Sequence, residues 1–242
     1  MTQRLRVRYA KRGRLRFTSH RDISRAVERA VRRADIPVAF SAGFSPHPKI
    51  SYAGAAPTGV ASEAEYLEIA VTRPCEPQAF RAALDASLPP GLDVLDVVEA
   101  RVGGLADRLE CSVWEVRLPG ADPGAAEGAV KEFMAATEVA VERLTKKGMR
   151  KFDARGAVAS LTADQDDHVE GGPNQSCVIL RMVVRHETPA VRPDDVLMGL
   201  RLVADFAPPS PPSVTRLAQG PLDASTGEPA DPLEADRVGG DQ

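Results

Sequence analysis

The stretch Ser19-His20-Arg21-Asp22-Ile23-Ser24-Arg25-Ala26-Val27-Glu28-Arg29-Ala30-Val31-Arg32-Arg33-Ala34 fixes the first element of the fold. Ile23, Ala26, Val27, Ala30, Val31 and Ala34 recur at the three- and four-residue intervals that gather side chains on one side of an α-helix. Ser19 stands where a helix cap belongs, and Asp22, three residues on, is placed to return the hydrogen bond. Asp35-Ile36-Pro37 stops the helix, because proline has no N–H to continue it. The opposite side is nearly all arginine. Arg21, Arg25, Arg29, Arg32 and Arg33 outnumber the carboxylates beside them, so the pattern predicts guanidinium groups left for a ligand.

Outward from this helix, Arg4 to Phe17 alternates, with Leu5, Val7 and Tyr9 on one face and Arg4, Arg6 and Arg8 on the other, then breaks at Gly13. It reads as a hairpin or a bent edge strand. After the helix, Val38 to Ser41 is a short strand, residues 43–49 a loop stiffened by Pro46 and Pro48, and Ile50 to Ala53 a resumed strand. Glu65 to Val71 turns Leu67, Ile69 and Val71 inward and Glu68 outward. A helix over Pro77 to Leu88 buries Phe80, Ala83, Leu84 and Leu88, and Leu92 to Val98 closes a βαββαβ series.

Past Arg101-Val102-Gly103-Gly104, read as a linker, the order recurs. Cys111 to Leu118 is a strand carrying the only tryptophan, and Glu127 to Leu144 a helix with Val130, Phe133, Met134, Thr137, Val141 and Leu144 on one face. Met149 to Thr162 is a strand kinked at Gly156, Asp164 to Gln175 an acidic turn, and Ser176 to His186 a long strand. Pro193 opens the next helix, where it costs no hydrogen bond, with Val196, Leu197, Leu200 and Val203 inward. Ser213 to Leu217 is the last strand. The expectation is an α+β fold of tandem ferredoxin-like units, each an antiparallel sheet backed by two helices with its other face open. The units are residues 1–103 and 104–218. Residues 219–242, rich in Pro, Gly, Ala and Asp, are expected to form a disordered tail.

Charge is unevenly spread over the 242 residues. The first sixty hold thirteen Lys and Arg against three acids, and the remainder eighteen against thirty-one. The competing readings are a phosphate-binding surface, two solvated faces, or two domains that attract each other. No apolar run reaches the length of about 18 that a membrane span needs, and Met1 to Arg8 is a charged start, so no membrane association and a cytoplasmic location are expected. Cys75, Cys111 and Cys177 are odd in number and far apart, which gives neither a disulfide framework nor a zinc knuckle. They read as small buried hydrophobes. The motifs of the common nucleotide hydrolases and metalloproteases are missing.

The run Tyr9-Ala10-Lys11-Arg12-Gly13-Arg14-Leu15-Arg16-Phe17-Thr18-Ser19-His20-Arg21-Asp22, then Arg32-Arg33-Ala34, Phe40-Ser41-Ala42-Gly43-Phe44-Ser45-Pro46-His47-Pro48-Lys49-Ile50-Ser51 and Gly59-Val60-Ala61-Ser62-Glu63, resembles the bacterial radical-SAM-linked protein family. Its motifs are a Ser-His-x-Asp helix start and a Gly-Phe-x-Pro-His-Pro-Lys loop. They span about residues 9 to 71, with looser similarity to about Leu217. Members stand alone or form the C-terminal part of a chain bearing a radical S-adenosylmethionine domain. The resemblance thus implies a radical SAM protein as partner and supplies no reaction. That partner would carry S-adenosylmethionine and an iron-sulfur cluster; no cofactor is expected in this chain, whose cysteines are too widely spaced to hold such a cluster. The tandem topology is also similar to that of CRISPR repeat-processing RNA endonucleases, although no second catalytic partner accompanies His20, Tyr9 or Lys49.

Among candidate site residues, His20 is the alternative general base or a helix-capping group. His47, between two prolines, is placed to touch a ligand or to anchor its loop, and Phe44 to stack on a base or plug a core edge. His20, His47 and Asp22 make a poor metal site without a third histidine. Arg21, Arg25, Arg29, Arg32, Arg33 and Lys49 are expected to hold RNA phosphates, joined by a second basic cluster of Lys146, Lys147, Arg150, Lys151 and Arg155. The functional expectation is a non-catalytic RNA-binding or substrate-presenting module for tRNA or rRNA modification or processing. The alternatives are a metal-independent RNA endonuclease using His20 and a protein-interaction adaptor that binds no RNA.

Overall fold

The computed structural model describes residues 3–145, 148–166 and 177–238. The chain forms two compact units, Met1–Leu109 with Asp231–Gln242, and Glu110–Ala230. Each is a mixture of helices and mostly antiparallel sheet.

In the first unit β1 (Gln3–Lys11), α1 (His20–Arg33), β2 (Ile50–Ala53), β3 (Ala61–Val71), α2 (Pro77–Ser87) and β4 (Val94–Glu99) follow in sequence. The strands lie in the order β4-β1-β3-β2, and every neighbouring pair is antiparallel. β1 is therefore interior, where the alternation suggested an edge strand or hairpin. Leu5, Val7 and Tyr9 face the helices, and Arg6, on the other face, is also buried. A 3-10 turn over Gly13–Phe17 follows in place of a second hairpin strand. Gly13 enters it at a φ of +55°, a conformation that glycine adopts without steric cost.

The α1 stripe and its Ser19 cap are found as expected, with Ala26 and Ala34 half-buried. Ile23, Val27, Ala30 and Val31 are buried, and Ser19 Oγ accepts from the Asp22 N–H at 3.2 Å. Asp22 accepts a hydrogen bond from the Ser19 hydroxyl at 2.7 Å, not from the Ser19 N–H that a reciprocal box would use. Phe80 and Leu84 of α2 join this stripe over Leu67, Ile69, Val71, Val94 and Val97. Each such side chain contributes roughly 1.5–3 kcal/mol by leaving water.

The opposite sheet face, expected to be open, is covered over part of its area. A 3-10 turn, Ala106–Arg108, and the terminal helix Glu234–Val238 lie in this part of the chain. Leu105, Leu109 and Leu233 pack with Ala53, Ala64, Tyr66 and Val98. Leu233 is fully buried. The tail expected to be disordered is thus folded as far as the described residues reach. Its polar composition is offset by a few well-placed apolar groups and by Asp236, which is buried among hydrogen-bond donors.

The second unit contains β5 (Cys111–Pro119), α3 (Pro123–Ala135), β6 (Ala140–Thr145), β7 (Gly148–Asp153), β8 (Val158–Asp166), β9 (Cys177–Arg185), α4 (Pro193–Ala204) and β10 (Ser213–Gly220). Its sheet runs β10-β5-β9-β8, antiparallel throughout, and β6 and β7 pair with each other. The helix expected to reach Leu144 stops at Ala135, because Val139, Val141 and Thr145 are β-branched and suit an extended chain. Gly156 separates two strands and does not kink one. Asp153 organises the turn by accepting from the N–H groups of Val139 at 2.9 Å, Arg155 at 2.9 Å and Gly156 at 2.9 Å. The acidic turn expected over Asp164 to Gln175 begins later, since β8 continues to Asp166; residues 167–175 lie outside the described residues.

Candidate nucleic-acid interface

Most cations of the first sixty residues fall into two groups. Those on β1, and Arg12 just after it, are engaged within the fold, Arg4 only in part. Arg4 pairs with Glu68 at 3.2 Å, and Arg6 with Glu68 at 3.2 Å and Asp236 at 2.6 Å. Arg8 donates to the Glu63 carbonyl at 2.9 Å, and Arg12 pairs with Glu63 and Asp93. Lys11 is buried and donates to the carbonyls of Ala56 at 3.2 Å and Pro57 at 3.1 Å, which pins the loop before β3.

Those on α1 are largely uncommitted. Arg21, Arg25, Arg29, Arg32 and Arg33 are all exposed. Arg25 lies 3.6 Å from Asp22, with both groups more than half exposed, an ion pair worth little in water. Arg33 is spent on structure: it donates to the Ser87 carbonyl at 3.2 Å and ties α1 to α2. Arg21, Arg29 and Arg32 have no ion pair or side-chain hydrogen bond among the described residues. Spacings of eight and three residues put them on the same side of the helix as Arg25, over a length of about 16 Å.

Asp236 shows what happens to cations on the other face. Its carboxylate, with no exposed surface, accepts from Arg6, from Arg108 at 2.8 Å, and from the N–H groups of Arg101 at 2.9 Å and Val102 at 3.1 Å. Burial opposes its ionisation, but those donors outweigh burial and hold the carboxyl below its ordinary range.

The 39–49 segment forms a closed loop. Ser41 N–H donates to the His47 carbonyl at 2.8 Å, His47 N–H to Ser41 Oγ at 3.0 Å, and Lys49 N–H to the Ala39 carbonyl at 2.7 Å. Phe44 at its tip is fully exposed, so it plugs no core edge. His47 and Lys49 are exposed as well. His20, also exposed, sits edge-on to the Tyr52 ring at 4.9 Å. Burial pushes the Tyr52 hydroxyl up to about 12, the Glu28 charge adding to the shift and Ser24 opposing it.

Three residues that the sequence reading passed over belong with this surface. Arg14 is exposed, Phe17 is 61% exposed, and the Arg16 guanidinium lies 4.7 Å above the Phe17 ring. The signal was present in Arg14-Leu15-Arg16-Phe17, but an assumed strand hid it. In the second unit, Arg150 and Lys151 are exposed on β7, whereas Arg155 is committed to the carbonyls of Met134 and Val158. Lys146 and Lys147 lie outside the described residues.

Among the described residues no three or more His, Cys, Asp or Glu gather as metal ligands, and no helix is long and apolar enough to cross a membrane. Cys111 and Cys177 are buried, Cys75 is half-buried, and burial pushes the Cys111 thiol up to about 11.

A family model described as "Uncharacterized protein conserved in bacteria (DUF2344)" matches residues 4–193. No curated protein matches. A solved structure titled "Crystal Structure of an Unknown Protein from Galdieria sulphuraria" is similar at 15% identity over 89% of this chain and 98% of that one. Its TM-score of 0.25 is too low to bear on the fold.

Proposed function

We propose that this chain, which belongs to the DUF2344 family of uncharacterized proteins conserved in bacteria, is a non-catalytic RNA-binding module that presents its RNA to a modifying or processing enzyme. One observation carries the reading: Arg21, Arg29 and Arg32 line one helix face without a carboxylate partner among the described residues, while Arg6 on β1 and Arg12 just after it are consumed by the fold. A row of unneutralised guanidinium groups on a rigid helix suits phosphates at successive positions of a nucleic acid backbone, and the entropy of released counterions drives such binding. Exposed Phe17 and Phe44 offer ring faces to unstacked bases, which favours RNA with single-stranded segments.

The strand orders β4-β1-β3-β2 and β10-β5-β9-β8 support reading each unit as ferredoxin-like, the second carrying β6 and β7 as an insertion. The same reading puts the main binding surface on the helix face, the sheet face of the first unit being covered over part of its area. The enzyme served is, on the resemblance of the Ser-His-x-Asp and Gly-Phe-x-Pro-His-Pro-Lys motifs alone, a radical S-adenosylmethionine protein. The protein works in the cytoplasm on this reading, where tRNA and rRNA are found.

Titration of labelled tRNA and rRNA fragments at two salt concentrations tests the reading. Three phosphate contacts to single-stranded RNA give a slope of log affinity against log salt of about −2, and Arg29→Gln lowers its magnitude by about one. Absent binding, or binding indifferent to salt, overturns it. RNA cut without metal by the wild type and not by His20→Ala would instead establish an endonuclease.

A further inference from the structure

On the first unit's sheet face a groove borders the 39–49 loop. Arg4, His47, Lys49, Ser51 and Glu68 line a cavity of about 270 Å³ together with Ser41, Pro48, Ile50 and Ala70. Two smaller hollows that share Arg4 and Glu68 continue it toward residues 100–106. We infer that this groove binds one phosphorylated nucleoside unit, its phosphate between Arg4 and Lys49, an inference that rests on the RNA-binding reading and names the part of the RNA taken here.

The charge balance comes first. Among the lining residues Arg4 and Lys49 stand against one carboxylate, Glu68, which leaves one positive charge in excess; Glu68 is bonded to Arg4 and Arg6 at 3.2 Å each. Arg4 keeps 64% of its side chain exposed, and Lys49 has no side-chain partner among the described residues. An anion entering between them meets net positive charge and uncommitted N–H donors. The Ser41 hydroxyl accepts the His47 N–H and still has its own proton to donate, and Ser51 is exposed on the same wall.

Size and polarity extend the ligand beyond phosphate. At about 270 Å³ the cavity lies near the lower end of the range of about 300–1,000 Å³ typical of small-molecule sites, so a bare phosphate would leave most of it to solvent. Pro48 and Ala70 add apolar surface to the lining, on which a ribose or base can rest. The loop at its border carries Phe44, whose fully exposed ring is a platform for the neighbouring base, and His47, whose imidazole is able to donate to or accept from a base edge. A paired duplex cannot enter so small a space; an unpaired nucleotide can.

Equilibrium titration of the full chain with inorganic phosphate, AMP and a 5′-phosphorylated oligoadenylate tests this. AMP is expected to bind, with Lys49→Gln weakening it about tenfold and Arg29→Gln leaving it unchanged. Lys49 makes no side-chain contact within the fold, so that variant is expected to keep wild-type stability, checked by its unfolding midpoint. Oligoadenylate binding more tightly than AMP identifies an RNA strand as the source, and equal affinities identify a free nucleotide. No AMP binding, inorganic phosphate binding as tightly as AMP, or insensitivity to Lys49→Gln overturns the assignment. Loss of tRNA binding in Arg29→Gln with AMP binding intact keeps the helix face and the groove separate, so either fails without the other.

Discussion

The Arg6 guanidinium donates to the Asp236 carboxylate at 2.6 Å, which joins the first strand to the last helix across 230 positions of sequence, with both side chains almost wholly buried. Neither charge is tolerable there alone. Removing Asp236 leaves Arg6 and Arg108, each with other acceptors but short of one carboxylate, and two backbone N–H groups without their acceptor. Asp236→Ala is therefore expected to lower the stability of the first unit by about 3–5 kcal/mol. Urea unfolding followed by circular dichroism measures it, and a loss under about 1 kcal/mol would contradict the account.

The same carboxylate sets a pH dependence. Its folded-state ionisation lies below the ordinary value of about 3.9 that the unfolded chain retains, so its contribution is complete above that value and disappears as pH falls through the folded one. The gap in urea midpoint between wild type and Asp236→Asn should be constant near neutrality and shrink on acidification below about pH 4. A gap that widens in acid would reverse the sign.

Arginine substitutions should divide by location. Arg29→Gln, on the exposed face of α1, is expected to change stability by less than about 0.5 kcal/mol. Arg6→Gln strips charge from a buried network and is expected to cost about 3 kcal/mol or more. Equal effects in paired unfolding curves would refute the division of the cations into spent and available groups.

Gly199 packs against Phe133 so closely that a Cβ there would lie 2.6 Å from the ring, which is itself fully buried. Gly199→Ala is expected to destabilise the second unit by about 1–3 kcal/mol through overpacking of α3 on α4. A thermal melt that shows no decrease would indicate a ring free to move.

Thiol reactivity should follow burial. A colorimetric disulfide reagent is expected to modify half-buried Cys75 in the native protein, and Cys111 and Cys177 only at the rate of unfolding. Burial raises the Cys111 thiol to about 11, which suppresses its thiolate further. Fast labelling of all three before denaturant is added would contradict the packing of β5 and β9.

Much of the first unit was legible because its signals are local. The α1 stripe, its Ser19 cap, and the inward set Leu67, Ile69 and Val71 each follow from residues within a turn or a few strand positions of one another. The failures came where two local signals competed. Val130, Phe133, Thr137 and Val141 fit a helical period past Ala135, yet Val139 and Val141 also alternate as a strand, and pairing of Val141 with Phe152 decided between them. The tail was misjudged by composition, which averages away the two residues, Leu233 and Asp236, that anchor it.

What the sequence alone determined is the presence of an amphipathic helix with five arginines on its outer side and a surplus of cations around it. Helical spacing and charge counts require no knowledge of distant residues. Which cations are neutralised was decided only by the tertiary structure. Glu68 and Asp236 reach Arg6 by folding, and an ion pair depends on a few ångströms of separation, whatever the distance along the chain.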